Sequence, residues 1–185
     1  MLLLSCCAPC SCGVIEKLAK EGRNFAVLFY NPNIAPFDEY QKRLAENKRV
    51  CDVYHVDFIE GTYDFNAWRE AVKGLEDEPE RGKRCSVCFS FRLKWAKEYA
   101  EKHGFDSFSS VLGISRWKDL DQVNRCAKMA ESADMPYDFT NWRKGGIQER
   151  RQSLIKELAL YNQEYCGCPF SMKAAMERKA LKKAG

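Results

Sequence analysis

Met1-Leu2-Leu3-Leu4-Ser5-Cys6-Cys7-Ala8-Pro9-Cys10 opens the chain, and its reading decides the fold. Leu2 to Ser5 is a short apolar run of the kind that forms a strand buried on both faces of a sheet. It ends abruptly in three thiols within five residues, on a segment that Pro9 stiffens and that reads as a loop. A leader peptide is the competing reading. No Lys or Arg precedes the leucines, and the run is far short of a signal core of about 7–15 residues. We therefore expect a strand that delivers a chemical motif.

Outward from this stretch, strand and helix patterns alternate. Val14, Ile15 and Leu18 recur at helical spacing and stop at Gly22. Phe25 to Tyr30 is a second buried strand, broken by Asn31-Pro32-Asn33. A polar helix is expected from Phe37 to Val50, a third strand from Val53 to Ile59, and a short helix around Trp68 and Val72. Residues 74–84 form a charged loop with Gly and Pro. Cys85 to Lys102 is helical, Phe105 to Ile114 a fourth strand, Asp119 to Ser132 a helix, and Pro136 to Thr140 a fifth strand. Gln148 to Tyr161 is helical again, and a basic helix follows Cys166-Gly167-Cys168-Pro169. Such alternation predicts an α/β fold: one domain over 1–185, with a Rossmann-like parallel sheet flanked by helices. A mainly helical C-terminal third completes the site. In such sheets ligands bind beyond the carboxyl ends of the strands, where the first cysteines fall.

The chain has 185 residues, 45% hydrophobic and 30% charged, with a formal net charge of +4. That balance suits a globular protein and permits nucleic-acid binding without demanding it. No apolar run approaches the roughly 18 residues that span a bilayer. Ten cysteines in a chain of this size, without a leader, point to metal or catalysis in a cytoplasmic protein rather than a disulfide scaffold.

Seven of the cysteines cluster: Cys6, Cys7 and Cys10; Cys85 and Cys88; Cys166 and Cys168. Thiolates select zinc, iron–sulfur clusters or copper(I). Vicinal Cys6 and Cys7 point apart and can serve two metals. Cys85-Ser86-Val87-Cys88 opens a helix behind Lys83 and Arg84, a setting expected to lower the thiol pKa. It also fits a thiol–disulfide oxidoreductase. Gly167 allows a tight turn between two ligands. One cubane takes four thiols and leaves three, whereas two closed zinc sites would want eight or added histidines. Only His55 and His103 are present. Cys12 is left in doubt by its closeness to the first cluster, whereas Cys51 and Cys126 read as packing residues. Cys6, Cys10 and Cys12 do not make a CxxxCxxC, and neither a phosphate loop nor a dinucleotide fingerprint is present.

CCAPC, FYNPNI at Phe29–Ile34, KRCSVCFSFRL at Lys83–Leu93 and LYNQEYCGCPFS at Leu160–Ser171 follow in this order. Together they resemble the QueH type of epoxyqueuosine reductase, cobalamin-independent, across nearly the whole chain. The sequence departs from the family pattern at Ala35-Pro36, Ser115-Arg116 and Ala159-Leu160-Tyr161-Asn162-Gln163. The resemblance implies reduction of epoxyqueuosine to queuosine at the wobble base of tRNA, the last step of queuosine synthesis. It implies a [4Fe-4S] cluster beside a mononuclear iron, which zinc could replace. The seven clustered cysteines are then the expected ligands, undivided between the two metals. An external donor, flavodoxin or ferredoxin-like, would supply electrons. Tyr30, His55 and Asp57 are the candidate proton donors. Arg143, Lys144, Arg150, Arg151, Lys173, Arg178, Lys179, Lys182 and Lys183, with Trp117 and Trp142, are candidates for tRNA contact. A zinc-stabilised RNA-binding module and a dithiol enzyme using Cys85 and Cys88 stay open as other classes.

Overall fold

The computed structural model describes residues 1–184, with side chains as far as Lys182. Lys183 of the basic set thus lies outside the described side chains. Four parallel strands form one sheet: β1 (Leu2–Ser5), β2 (Ala26–Phe29), β3 (Asp57–Glu60) and β4 (Phe108–Ser110), in the order β3-β2-β1-β4. β1, β2 and β4 are buried at every position, as their unbroken apolar or small-residue sequences require. β3 is the edge strand, exposed at Asp57 and Glu60. Leu2 pairs with both Ala26 and Phe108, and Ser5 with Phe29, so the ends of β1 and β2 are level.

The helices are α1 (Ala8–Lys20), α2 (Phe37–Tyr54), α3 (Phe65–Ala71), α4 (Lys83–Lys102), α5 (Leu120–Ala130), α6 (Ile147–Glu157) and α7 (Pro169–Ala184). The chain goes outward from β1 to β2 and β3, then returns to place β4 on the other side of β1. The switch point therefore lies between β1 and β4, and it opens a crevice beyond their carboxyl ends.

Five local expectations are corrected. The segment after β1 is not a loop as far as Cys10: α1 begins at Ala8, with Cys7 as N-cap and Pro9 in the first turn, where its missing N–H costs nothing. α2 runs one turn past Val50, because Val50 and Cys51, with half-buried Tyr54, continue the buried stripe of Tyr40, Arg43 and Asn47. The third strand consequently starts at Asp57. The fourth strand stops at Ser110 and passes into a 3₁₀ turn, Leu112–Ile114. The fifth is reduced to a single parallel bridge between Phe108 and Tyr137.

Two close approaches fix the helices around β1. A Cβ on Gly13 of α1 would meet Cγ2 and the carbonyl oxygen of Ile147 in α6, both at 3.2 Å, so only glycine lets these helices pack this tightly. Arg150 of α6 then forks onto buried Glu16 of α1, Nε to Oε2 at 2.6 Å and Nη2 to Oε1 at 2.8 Å.

Candidate metal centre

Cys6 and Cys7 leave the end of β1, and Cys10 sits in the first turn of α1. All three are buried, and their sulfurs lie within 4.8 Å of one another. The Cys6 and Cys7 sulfurs are 3.8 Å apart. A tetrahedral site with metal–sulfur bonds of about 2.3 Å places its sulfurs about 3.8 Å apart, so the spacing suits one metal ion. The turn is held by its own backbone: the Cys7 carbonyl accepts from the N–H groups of Cys10 and Ser11. Behind it, Asn47 Oδ1 accepts from both Ser5 Oγ (2.6 Å) and Ser11 Oγ (3.0 Å).

A second set comes from two distant segments. Cys85 and Cys88 lie in the first turns of α4; Cys166 and Cys168 flank the turn before α7. The four are near enough for their charges to act on one another. Gly167 has φ of 130°, and a Cβ there would meet Arg43 Nη1 at 2.9 Å. That close approach is used: Arg43, buried in α2, donates to the Cys166 carbonyl at 2.8 Å and pairs with Glu39. The two sets adjoin, since Lys118 feels Cys166, Cys6 and Cys10 together.

The charges around these thiols are one-sided. Lys118 and Arg92 are 4% and 1% exposed, and among the described residues no carboxylate pairs with either. Arg92 donates to the Tyr30 carbonyl at 3.1 Å and to Asn31 Oδ1. Lys118 Nζ donates to Cys6 Sγ at 3.5 Å. Buried cations need an anion, and here only thiolates can supply it. Hydrogen bonds from Cys10 and Cys7, with Lys118 and Arg92 beyond, hold Cys6 well below the usual thiol range. Burial pushes Cys7 up to about 12, and hydrogen bonding to Cys6 and Cys7 pushes Cys10 up too. For Lys118, burial favours the neutral amine but is outweighed by the facing thiols, which raise it.

The CxxC expectation is corrected here. Burial pushes Cys85 and Cys88 each up to about 11. Arg84, whose guanidinium is hydrogen-bonded to the carbonyls of Leu75, Glu76 and Glu78, lowers Cys85, but burial outweighs it. That setting opposes thiol exchange in the free state and favours thiolates only against a metal.

The other sequence candidates separate. Tyr30 follows β2 at the correct end of the sheet, but its ring stacks on Trp95 at 4.0 Å, and burial pushes its hydroxyl up to about 12. His55 and Asp57 are not brought to the cysteines. His55 caps α2 in the left-handed conformation, and Asp57 starts β3 level with Ala26 and Leu2, at the opposite edge of the sheet. Both are exposed. Cys12 is buried in α1 and packs rather than joining the trio. Lys118, Arg92 and Arg43 were missed: Lys118 and Arg43 lie outside every quoted motif, and Arg92, although inside the Lys83–Leu93 block, carried no role there.

A cleft of about 1090 Å³ opens on Cys10. Arg81, Arg116, Trp117, Lys118, Arg151 and Gln163 are on its walls, and the guanidinium groups of Arg116 (4.8 Å) and Arg178 (4.9 Å) lie against the Trp117 ring. Trp142, by contrast, is buried and directs Nε1 at Ser109, so it is a core residue. Arg143 faces the cleft but is committed to the carbonyls of Gly113, Ser115 and Lys118; Arg150 is committed to Glu16 and Glu157. Lys144, Lys173 and Lys182 are exposed.

Residues 1–174 match the family model for epoxyqueuosine reductase QueH. A relative of that name from Histophilus somni is 47% identical over 94% of this chain and 72% of its own length. One from Thermotoga maritima is 36% identical over 97% of this chain and 94% of its own. Among solved structures, the U34-tRNA thiolase NcsA from Methanococcus maripaludis with its [4Fe-4S] cluster has a TM-score of 0.54 at 12% identity. That match covers 99% of this chain and 65% of that one, and it is a likeness of fold alone. With the family model matched over residues 1–174 and relatives of that name up to 47% identical, the chain belongs to the epoxyqueuosine reductase QueH family, oxidoreductases of queuosine biosynthesis.

Proposed function

We propose that this chain is a cytoplasmic enzyme that reduces epoxyqueuosine to queuosine at the wobble position of tRNA, the last step of that synthesis. The observation that carries the reading is a basic cleft ending on a three-thiol site beside two buried cations that no carboxylate among the described residues balances. In this reading Cys85, Cys88, Cys166 and Cys168 hold a [4Fe-4S] cluster, and Cys6, Cys7 and Cys10 hold a mononuclear iron, which zinc can replace. The division follows the sulfur spacing: the trio is as compact as a single tetrahedral ion requires. The cleft touches Cys10 and no cysteine of the four-thiol set.

Overall, the epoxide gains two electrons and two protons, both C–O bonds break, a C=C bond forms and water leaves. When bound, the metals supply electrons from an external flavodoxin or ferredoxin-like donor and Lewis-acid polarisation of the epoxide oxygen. The chain does the rest. The cleft is large enough for a nucleoside extruded from the anticodon loop. Arg116 favours the flanking phosphates, as do Arg81 and Arg151 through the N–H groups not used on the Arg116 and Pro9 carbonyls, and Trp117 offers a face on which a base can stack once its guanidinium neighbours turn to phosphate. Walls built from α1, α5 and α6 limit water around the epoxide, which hydrolysis would otherwise open.

The deciding experiment is anaerobic purification with iron, sulfide and zinc analysis and a visible spectrum, followed by reduction of epoxyqueuosine-tRNA with dithionite. About four to five irons per chain with sulfide, and turnover, are expected. Zinc alone, or no metal after reconstitution, would sink the reading.

A further inference from the structure

Cys6 and Cys7 are neighbours in sequence with sulfurs 3.8 Å apart, yet they face unlike donors. Lys118 Nζ donates to Cys6 Sγ at 3.5 Å, and Gln163 Nε2 donates to Cys7 Sγ at 2.6 Å. Neither donor is a loose surface group. The Lys118 backbone is tied at both ends: its N–H donates to the Ser115 carbonyl at 3.1 Å, and its own carbonyl accepts from Arg143 Nη2 at 3.0 Å. Its side chain is almost wholly buried. The Gln163 amide nitrogen lies against the sulfur, and its buried Oε1 has no hydrogen-bond partner among the described residues.

A hydrogen bond to a ligating sulfur withdraws electron density from the metal and makes it easier to reduce. A charged donor does so more strongly than a neutral one, and more so away from water. Glu39 lies against Arg43, but among the described residues no carboxylate lies against Lys118 to cancel its charge. Arg92, the other unbalanced cation, is turned to the Tyr30 carbonyl and to Asn31, not to a sulfur.

The geometry points to Lys118 as a positioning residue that acts through Cys6: its buried ammonium raises the reduction potential of the iron held there, and Gln163 adds a smaller effect in the same direction through Cys7. The pair makes the two vicinal ligands electronically distinct. It also brings the centre within reach of a weaker external donor than a bare trithiolate site would accept. The inference rests on the metal reading proposed above.

The test uses wild type, Lys118→Met, Lys118→Arg and Gln163→Leu, each purified anaerobically and reconstituted. Iron and sulfide content, visible absorption and EPR are recorded before the midpoint potential is measured. Lys118→Met keeps the stem and its packing but loses the charge. It is expected to retain its iron and shift the potential to a more negative value. Lys118→Arg should recover most of the shift, and Gln163→Leu should move the same way by less. An unchanged potential in Lys118→Met with metal content intact overturns the inference, because a purely structural lysine would give that result. Should Lys118→Met fail to hold metal, Lys118→Gln takes its place: it keeps an N–H donor without charge, and a wild-type potential there overturns the inference equally. Wild type that takes up no iron removes the metal reading itself, a failure that the iron analysis reveals before any potential is measured.

Discussion

The two thiol sets are built by opposite means. Cys6, Cys7 and Cys10 are contiguous, placed by the end of a central strand and the first turn of the next helix, and their geometry is nearly complete once β1 and α1 exist. Cys85, Cys88, Cys166 and Cys168 depend on tertiary structure: α4 must meet the turn before α7, and Arg43 must reach across to the Cys166 carbonyl, 123 residues away in sequence. A contiguous set draws its precision from backbone hydrogen bonds. An assembled set draws it from a buried guanidinium and a glycine that leaves room for it. The first should fail only when a ligand is lost, the second when its scaffold is disturbed.

The sharpest break is therefore Cys6→Ser. Activity should fall by about 100-fold or more, with sulfide retained on the four-thiol set; loss of all sulfide would show that the sets are not independent. Gly167→Ala should do the converse. A Cβ against Arg43 at a φ of 130° displaces the clamp, so sulfide should fall and activity drop roughly 10–100-fold while one tightly held metal remains. Retained sulfide would show that the turn tolerates the strain. Arg116→Ala lies outside both sets. It should weaken tRNA binding several-fold, reduce the salt slope by about one, and leave the metal spectrum unchanged.

Glu16→Gln tests the support behind the trio alone. Its hydrogen bonds from Arg150 hold the Glu16 carboxyl down at about 2, against an ordinary 4.5. A carboxylate depressed in this way stabilises the fold above its unfolded pKa, and that contribution drains away as pH falls from about 4.5 towards 2. The variant should lose about 3 °C in Tm at neutral pH, lose less at acid pH, and keep its metal. His55→Gln and Asp57→Asn should change nothing in turnover or metal content, because both residues lie at the far edge of the sheet. A loss of turnover in either, measured at full iron content, would mean that substrate reaches that edge.

The sequence made the trio legible because everything that forms it is local: a buried strand, a proline, and thiols within five residues. The parallel sheet was legible for the same reason, through apolar runs that had to be covered on both faces. The assembled parts were harder to see. Arg43 and Arg92 occupy buried stripes of otherwise polar helices, where arginine normally marks the solvent side. Lys118 lies between Trp117 and Asp119 in an irregular stretch without periodicity, and only the fold shows that it points at sulfur. His55 and Asp57 were misplaced because α2 extends past Val50, which turned the expected strand end into a strand beginning. Trp117 and Trp142 look alike in sequence; burial alone separates a cleft residue from a core one.

The long reach of Arg43 also imposes an order of events. Closing a contact between segments so far apart costs chain entropy that local turns do not pay, so the Cys166 turn docks late in folding. Until it does, the thiols of α4 and the end of β1 are uncovered; on the metal reading proposed above, iron would enter then, and the docked turn would close behind it. Hydrogen exchange on the metal-free chain should then find residues 165–171 the least protected part of the centre, and metal loading should protect them most.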